Sequence, residues 1–454
     1  MKTIAQIALE LQGYDPQAIS AAGVGGFLNK LVSPVLETET VNLLDAFGRV
    51  LAFDVVSPIS VPPHDNSAMD GFAFCGADLQ ADSATQLEVV GTALAGKRWQ
   101  GVANKGQCVK IMTGAVMPAG LDTVAPQEMV HIQGNTVTLP AGALATGDNR
   151  RQAGEDLMQG RTALAKGTRL NAASIGLLAS LNIAQVQVYR QLKVAYFSTG
   201  DEILSLGDAP REGAVYDSNR YTVWGMLRQL GVQIIDMGVV RDEPALLEAA
   251  FTQAAREADA IITSGGVSVG EADFTKAMMQ KLGDVAFWKI AMRPGRPMAV
   301  GRIILEKNDQ CQRDMVIVRS ENSSESAKDV SSNSATKSAI LFGLPGNPVA
   351  VMVTFLAFVR PALLRMMGSS EVATPLLRAT SAEAIRKKAG RTEYQRAVVS
   401  TLPDGSLRVK TTGNQGSGVL SSMVQANGLM VLHHGQSDVA AGDAVDVMLL
   451  DGLI

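Results

Sequence analysis

The chain has 454 residues, which at roughly 150 residues per domain predicts about three domains, within a range of two to four, and excludes a single small module. Hydrophobic residues make up 46% of it, enough for sizeable cores, so global disorder is excluded. The formal net charge is −4, without the basic excess of a general nucleic-acid binder, so a small molecule or another protein is the expected partner.

The N-terminus, MKTIAQIALELQGYD, places Glu10 and Asp15 where a secretory signal needs an apolar core and a small-residue cleavage site. No export is expected. Residues 1–50 and 171–181 carry helical patterns, whereas 58–157 read as β-rich, with Gly/Pro punctuation at 91–106 and 114–120. We therefore expect an elongated helical/β subdomain of residues 1–57 plus 158–191, and a β-rich subdomain of 58–157. Cys75, Cys108 and Cys311 are odd in number and scattered, which excludes a disulfide framework or a paired-cysteine zinc site and points to a reducing cytoplasm.

The middle of the chain alternates strands and helices. Leu192–Ser198, Val232–Met237, Asp259–Thr263, Val285–Ala291 and Ala339–Phe342 are short, apolar and rich in β-branched or aromatic residues. Residues 220–230 and 245–258 have helical spacing, the second with Asp242 as the expected cap and Pro244 near its start. This pattern predicts an α/β domain with a parallel sheet over 192–370. It is interrupted at about 306–338, where residues 320–338 include eight serines and read as a surface loop. The apolar stretch Val349–Val359 stops at Arg360 and Pro361, short of the roughly 20 residues a membrane helix needs, so no membrane association is expected. Residues 371–454 read as a small all-β domain, with a hairpin signal around Pro403, Asp404 and Gly405. The fold class is thus multidomain α/β.

In a parallel α/β sheet, ligands bind beyond the carboxyl ends of the strands. The loops expected there are Ser198-Thr-Gly-Asp-Glu202, Arg241-Asp-Glu243, Ser264 through Asp273, Lys289 through Pro297, and Gly343-Leu-Pro-Gly-Asn-Pro348. All five should open on one edge. Glycine and serine there let backbone N–H groups approach a phosphate. Carboxylates at Asp201, Glu202, Asp242 and Asp273 would repel that phosphate unless a hard cation such as Mg²⁺ bridges them. Lys289, Arg293 and Arg296 supply positive charge. A competing motif is Gly266-Val-Ser268-Val-Gly270, which matches the nucleophile elbow of α/β serine hydrolases. The downstream histidines, His433 and His434, would alternate to opposite faces of a strand and make a poor base for Ser268.

Asp65-Asn-Ser-Ala-Met-Asp-Gly71, Ile111-Met-Thr-Gly-Ala115, Arg151-Gln-Ala-Gly-Glu-Asp156, Phe197–Glu202, Tyr216-Asp-Ser-Asn219, Thr263–Asp273 and Gly343–Pro348 together resemble the MoeA/gephyrin E-domain family of molybdopterin molybdenumtransferases. The resemblance spans nearly the whole chain. It implies four structural domains, an α/β domain similar to molybdopterin adenylyltransferase, a small C-terminal β-barrel-like domain and an elongated homodimer. The implied reaction is the last step of molybdenum cofactor synthesis: molybdate enters adenylylated molybdopterin and AMP leaves.

Carried onto this sequence, the resemblance makes Glu202 and Asp273 Mg²⁺ ligands, with Asp242 nearby, and turns Lys289 and Arg293 toward phosphate or molybdate. It assigns Arg396 and Ser417 to molybdate, a dianion suited to a guanidinium fork and a hydroxyl donor. Thr199, Gly200, Asn219, Ser264, Gly265, Gly266, Ser268, Pro294, Gly295, Pro345, Gly346 and Asn347 are the implied cofactor-binding positions. Asp70, Thr113 and Asp156 match functional positions of the second subdomain, expected to lie over the crevice of the other subunit. Molybdopterin adenylyltransferase is the implied pathway partner. Three features depart from the family pattern: arginines at 293 and 296 where many relatives have lysines, Phe72 in place of a tyrosine, and the serine-rich insertion. A serine hydrolase using Ser268 and a gephyrin-like receptor scaffold are the alternatives.

Overall fold

A computed structural model describes residues 2–267, 274–305 and 337–454. Ser268, Asp273, Cys311 and the serine-rich stretch through residue 336 lie outside the described residues.

The central sheet has six strands: β1 (Lys193–Thr199), β2 (Gln233–Val240), β3 (Ala260–Ser264), β4 (Gly283–Lys289), β5 (Pro297–Ile304) and β6 (Ser338–Leu344), in the order β2-β1-β3-β6-β5-β4. The expected parallel sheet is therefore mixed. β2, β1, β3 and β6 are parallel, while β5 runs antiparallel to both β6 and β4. β5 was not expected as a strand. Two reversals restore the direction of β4, so its end, where Lys289 faces Pro297, shares an edge with Ser264 and Leu344. The strand ends that carry the five expected loops do meet on one edge.

Side-chain alternation divides β1 between two cores. Val194 and Tyr196 join Val223 and Leu227 of the helix Ser218–Leu230, whereas Ala195 and Phe197 join Leu247 and Phe251 of the helix Pro244–Glu257. The result is a sheet with helices on both faces. The helices Ile4–Leu9 and Ala21–Leu31 also bury Ile7, Val24 and Phe27 in the first of these cores. That changes the expected grouping of residues 1–57: the N-terminal helices pack on the α/β layer, and strand Thr38–Asn42 pairs with Gln185–Tyr189.

Pro348–Met366 is the one helix among the described residues long and apolar enough to cross a membrane, and 78% of its apolar window is buried within the protein. The helix runs past Arg360 and Pro361, so the expected limit on its length does not hold. A π-helical turn, Phe355–Val359, lies just ahead of Pro361, whose missing N–H an α-helical ladder would have required.

Residues 71–139 contain a second six-stranded sheet, with Phe72 buried beside Phe74 and Leu87. Strands Leu377–Ser381, Thr392–Thr401, Leu407–Thr411, Gly428–Leu432 and Ala444–Leu449 close into a barrel through the pairing of the second with the fourth. Met292 and Arg293 pair with Thr392 and Glu393, which fastens this barrel to the site edge of the α/β domain.

Ile304 pairs with Ser338, and the Leu305 amide donates to the Lys337 carbonyl at 3.0 Å, so the insertion leaves the sheet at the edge opposite the five loops. Replacing residues 306–336 with a short Gly/Ser turn should therefore shift Tm by no more than about 2 °C, because closure cost varies weakly with loop length. Calorimetry checks this; a large drop in Tm contradicts it.

Candidate functional site

β1 and β3 meet at their carboxyl ends. Gly265 has φ +92°, and a Cβ there would lie 2.6 Å from the Thr199 carbonyl, so only glycine lets the two ends approach this closely. At Gly200, a Cβ would lie 2.5 Å from Glu202 Oε2, which places the Glu202 carboxylate over the end of β1. Glu202 is exposed, and its carboxylate has no hydrogen-bond or ion-pair partner among the described residues.

Beneath these loops, Tyr196, Ser198 and Ser264 form a buried ring of hydroxyls. Tyr196 Oη lies 2.7 Å from Ser264 Oγ and 2.9 Å from Ser198 Oγ, and the two serines are 3.1 Å apart. Burial pushes the Tyr196 phenol well above its usual range. Three hydroxyls in a closed ring can each donate once and accept once. The Ser264 side chain is thus a strut between β1 and β3, and what this residue presents to the loops is its backbone.

The acidic side of the edge differs from expectation at Asp242. Glu243 occupies the cap position of the helix Pro244–Glu257 and makes no side-chain cap bond. Asp242 lies one residue too early to cap; its Oδ1 accepts from Thr275 Oγ1 at 3.1 Å, and its amide donates to Asp201 Oδ1 at 3.4 Å. Among the described residues no group of three His, Cys, Asp or Glu side chains is placed to hold a metal.

On the basic side, a cleft of about 440 Å³ is lined by residues 293–297, 345–347, 350 and 415–417. Arg293 and Arg296 are exposed, and neither they nor Lys289 has an acidic partner among the described residues. Lys289 shares the edge but lies outside the cleft lining. Unpaired cations around a cleft with backbone-rich walls form a site for an anion.

Arg396 stands behind this cleft, only 1% exposed. Its Nε donates to Ser422 Oγ at 3.0 Å, and its Nη2 to the carbonyls of Asn414 and Gly416 at 3.2 and 2.8 Å. Nη1 has no protein partner among the described residues, leaving its donors for another acceptor. Burial, and then the nearby charge of Arg293, pull the guanidinium down to about 10. Gln415, which the sequence reading missed, grips the Arg396 backbone from both sides: its Oε1 accepts from the amide at 2.8 Å and its Nε2 donates to the carbonyl at 3.1 Å. The Ser417 carbonyl accepts from the Val349 amide at 3.1 Å, closing the barrel loop onto the start of the helix at Pro348. Arg293, Arg396 and Ser417 therefore converge.

Asp70 and Thr113 meet in the second subdomain. Asp70 Oδ1 accepts from the Thr113 amide at 2.7 Å and hydroxyl at 2.8 Å, which holds the carboxyl below its ordinary range. Asp156 is exposed, with its amide donating to the Val61 carbonyl at 3.1 Å. Among the described residues, no hydrogen bond or ion pair joins residues 58–157 to residues 192–454. The hydrolase alternative gains nothing: its strand ends at Leu432, and His433 Nε2 lies 2.6 Å from Asp446 Oδ2 in the barrel.

Three family models match the chain in order: MoeA N-terminal region (domain I and II) over residues 19–182, probable molybdopterin binding domain over 195–365, and MoeA C-terminal region (domain IV) over 378–450. The chain is 38% identical over 412 residues to a molybdopterin molybdenumtransferase of Haemophilus influenzae, covering 90% of this chain and 93% of that protein. It is 34% identical over 423 residues to one of Nostoc, covering 91% and 89%. A crystal structure of a molybdopterin biosynthesis moeA protein from Pyrococcus horikoshii superposes with a TM-score of 0.74 at 25% identity, over 95% of this chain and all of that one.

Proposed function

Because the chain belongs to the MoeA family of molybdopterin molybdenumtransferases, we propose that it inserts molybdate into adenylylated molybdopterin with Mg²⁺-dependent release of AMP. The observation that carries this reading is the cleft where Arg293 and Arg296, both without acidic partners among the described residues, face the loop organised by Arg396. A tetrahedral dianion suits two guanidinium groups and the Ser417 hydroxyl.

Glu202, a carboxylate at the end of β1 with no hydrogen-bond or ion-pair partner among the described residues, fits a hard divalent cation, and Asp273 is the second proposed ligand. When bound, Mg²⁺ supplies charge neutralisation at the phosphoanhydride. Lys289, Arg293 and the loop amides at Gly200, Gly265, Gly266, Gly295 and Gly346 stabilise the departing AMP by charge and hydrogen bonding. Thr199, Asn219, Pro294, Pro345 and Asn347 shape the walls, and no protein nucleophile is required. Arg396 and Ser417 hold molybdate in position for the dithiolene sulfurs. We assign the second subdomain, with Asp70, Thr113 and Asp156, to the crevice of the other subunit in a homodimer. The cytoplasm is the proposed location, with molybdopterin adenylyltransferase as the supplier of substrate.

The test is chromatographic measurement of AMP after mixing protein, adenylylated molybdopterin and molybdate. Release should require both molybdate and Mg²⁺, stop with EDTA and return with added Mg²⁺. Release independent of molybdate would overturn the reading.

A further inference from the structure

At the carboxyl edge of the sheet lie three buried polar atoms with no hydrogen-bond partner among the described residues: Thr199 Oγ1, Asp217 Oδ2 and Asn219 Oδ1. Asp217 is 4% exposed and Asn219 9%. Their other polar atoms are committed. Asp217 Oδ1 caps the helix Ser218–Leu230 by accepting from the Arg220 amide at 3.0 Å, and Asn219 Nδ2 donates to the Gly346 carbonyl at 2.7 Å. Gly346 lines the anion cleft, so this polar floor adjoins it. The floor's other boundary is the hydroxyl ring, whose Tyr196 phenol feels the Asp217 charge.

An unpaired buried carboxylate oxygen costs more free energy than a neutral one, so a group that supplies N–H donors there has much to gain. We propose that Asp217, with Asn219, recognises the pterin of the substrate through its 2-amino and N3–H groups. This rests on the function proposed above. The pterin edge is a cyclic guanidine with two adjacent donors, which suits a carboxylate and a second acceptor as an arginine fork does. Adenine fits worse, because its amino group is flanked by ring nitrogens that would face the carboxylate lone pairs.

Asp217→Asn is the informative variant, because asparagine keeps the capping oxygen while replacing the unpaired acceptor with an NH₂ donor. Asp217→Ser keeps a cap and removes the unpaired atom altogether. The probes are free pterin, lumazine, which carries an oxo group in place of the 2-amino group, and AMP, each titrated by fluorescence or calorimetry. The wild type should prefer pterin to lumazine by about tenfold or more. Both variants should lose that preference while retaining AMP affinity and Tm. Retained preference in either variant, or a loss of AMP affinity instead, overturns the assignment of Asp217. A wild type that binds no pterin and releases no AMP overturns the underlying function as well, which separates the two failures.

Discussion

Arg396→Lys should abolish molybdate-dependent AMP release and cost about 3 kcal/mol of stability. The guanidinium makes three hydrogen bonds, to Ser422, Asn414 and Gly416, from a position only 1% exposed. An ammonium cannot reproduce that fork, so at least one carbonyl or hydroxyl loses its partner and the loop carrying Gln415 and Ser417 is released. The loss should fall mainly on turnover, because a loosened loop misplaces molybdate even at saturating concentration. Ser422→Ala removes the Nε contact together with the hydroxyl's own bond to the Val419 carbonyl, and should cost about 1–2 kcal/mol with turnover largely kept. Urea unfolding alongside AMP release measures both quantities. An Arg396→Lys protein with near-normal turnover would show that the loop holds its shape without the guanidinium and that the residue is dispensable to the reaction.

Local signals explain which parts of this architecture were legible in the sequence. The five edge loops could be read because glycine, proline and acidic residues cluster directly after apolar runs, and the structure brings those runs to one edge. β5 escaped notice because it begins at Pro297 and contains Gly301 and Arg302, which suggest a loop. Arg302 is buried there, donating to the carbonyls of Lys2 and Leu31 at 2.7 Å each, and those partners are about 270 to 300 residues away. The same long-range packing draws the N-terminal helices onto the α/β layer. The family resemblance named Arg396 as an anion contact, yet two of its donor contacts serve the loop beside the cleft and a third goes to Ser422 in the helix that follows. Ser264 and Asp242 show the reverse limit. Their positions were legible, but the partners that occupy their side chains, Tyr196 with Ser198 for one and Thr275 for the other, come from different elements. Asp217 lay within a recognised motif and still went unremarked, because only burial reveals that one of its oxygens is unpaired.

The arrangement of the second subdomain leads to the other large expected effect. Asp70 is ordered by Thr113, yet no hydrogen bond or ion pair among the described residues connects residues 58–157 to the α/β and barrel domains of the same chain. If that subdomain completes the crevice of a second copy, Asp70→Ala and Glu202→Ala homodimers should each lose most AMP release. A heterodimer carrying one substitution per subunit should recover about half of the wild-type rate, because both lesions then fall in one composite site and the other site has neither. Were each site confined to one chain, every site in the heterodimer would carry one lesion, and the rate would stay at the level of the parents. Co-expressed subunits with different tags, purified through both, provide the measurement. Glu202 is a suitable partner mutation because its carboxylate is exposed and makes no hydrogen bond or ion pair among the described residues whose loss could unfold the chain. A heterodimer no more active than either parent would place Asp70 outside the shared site.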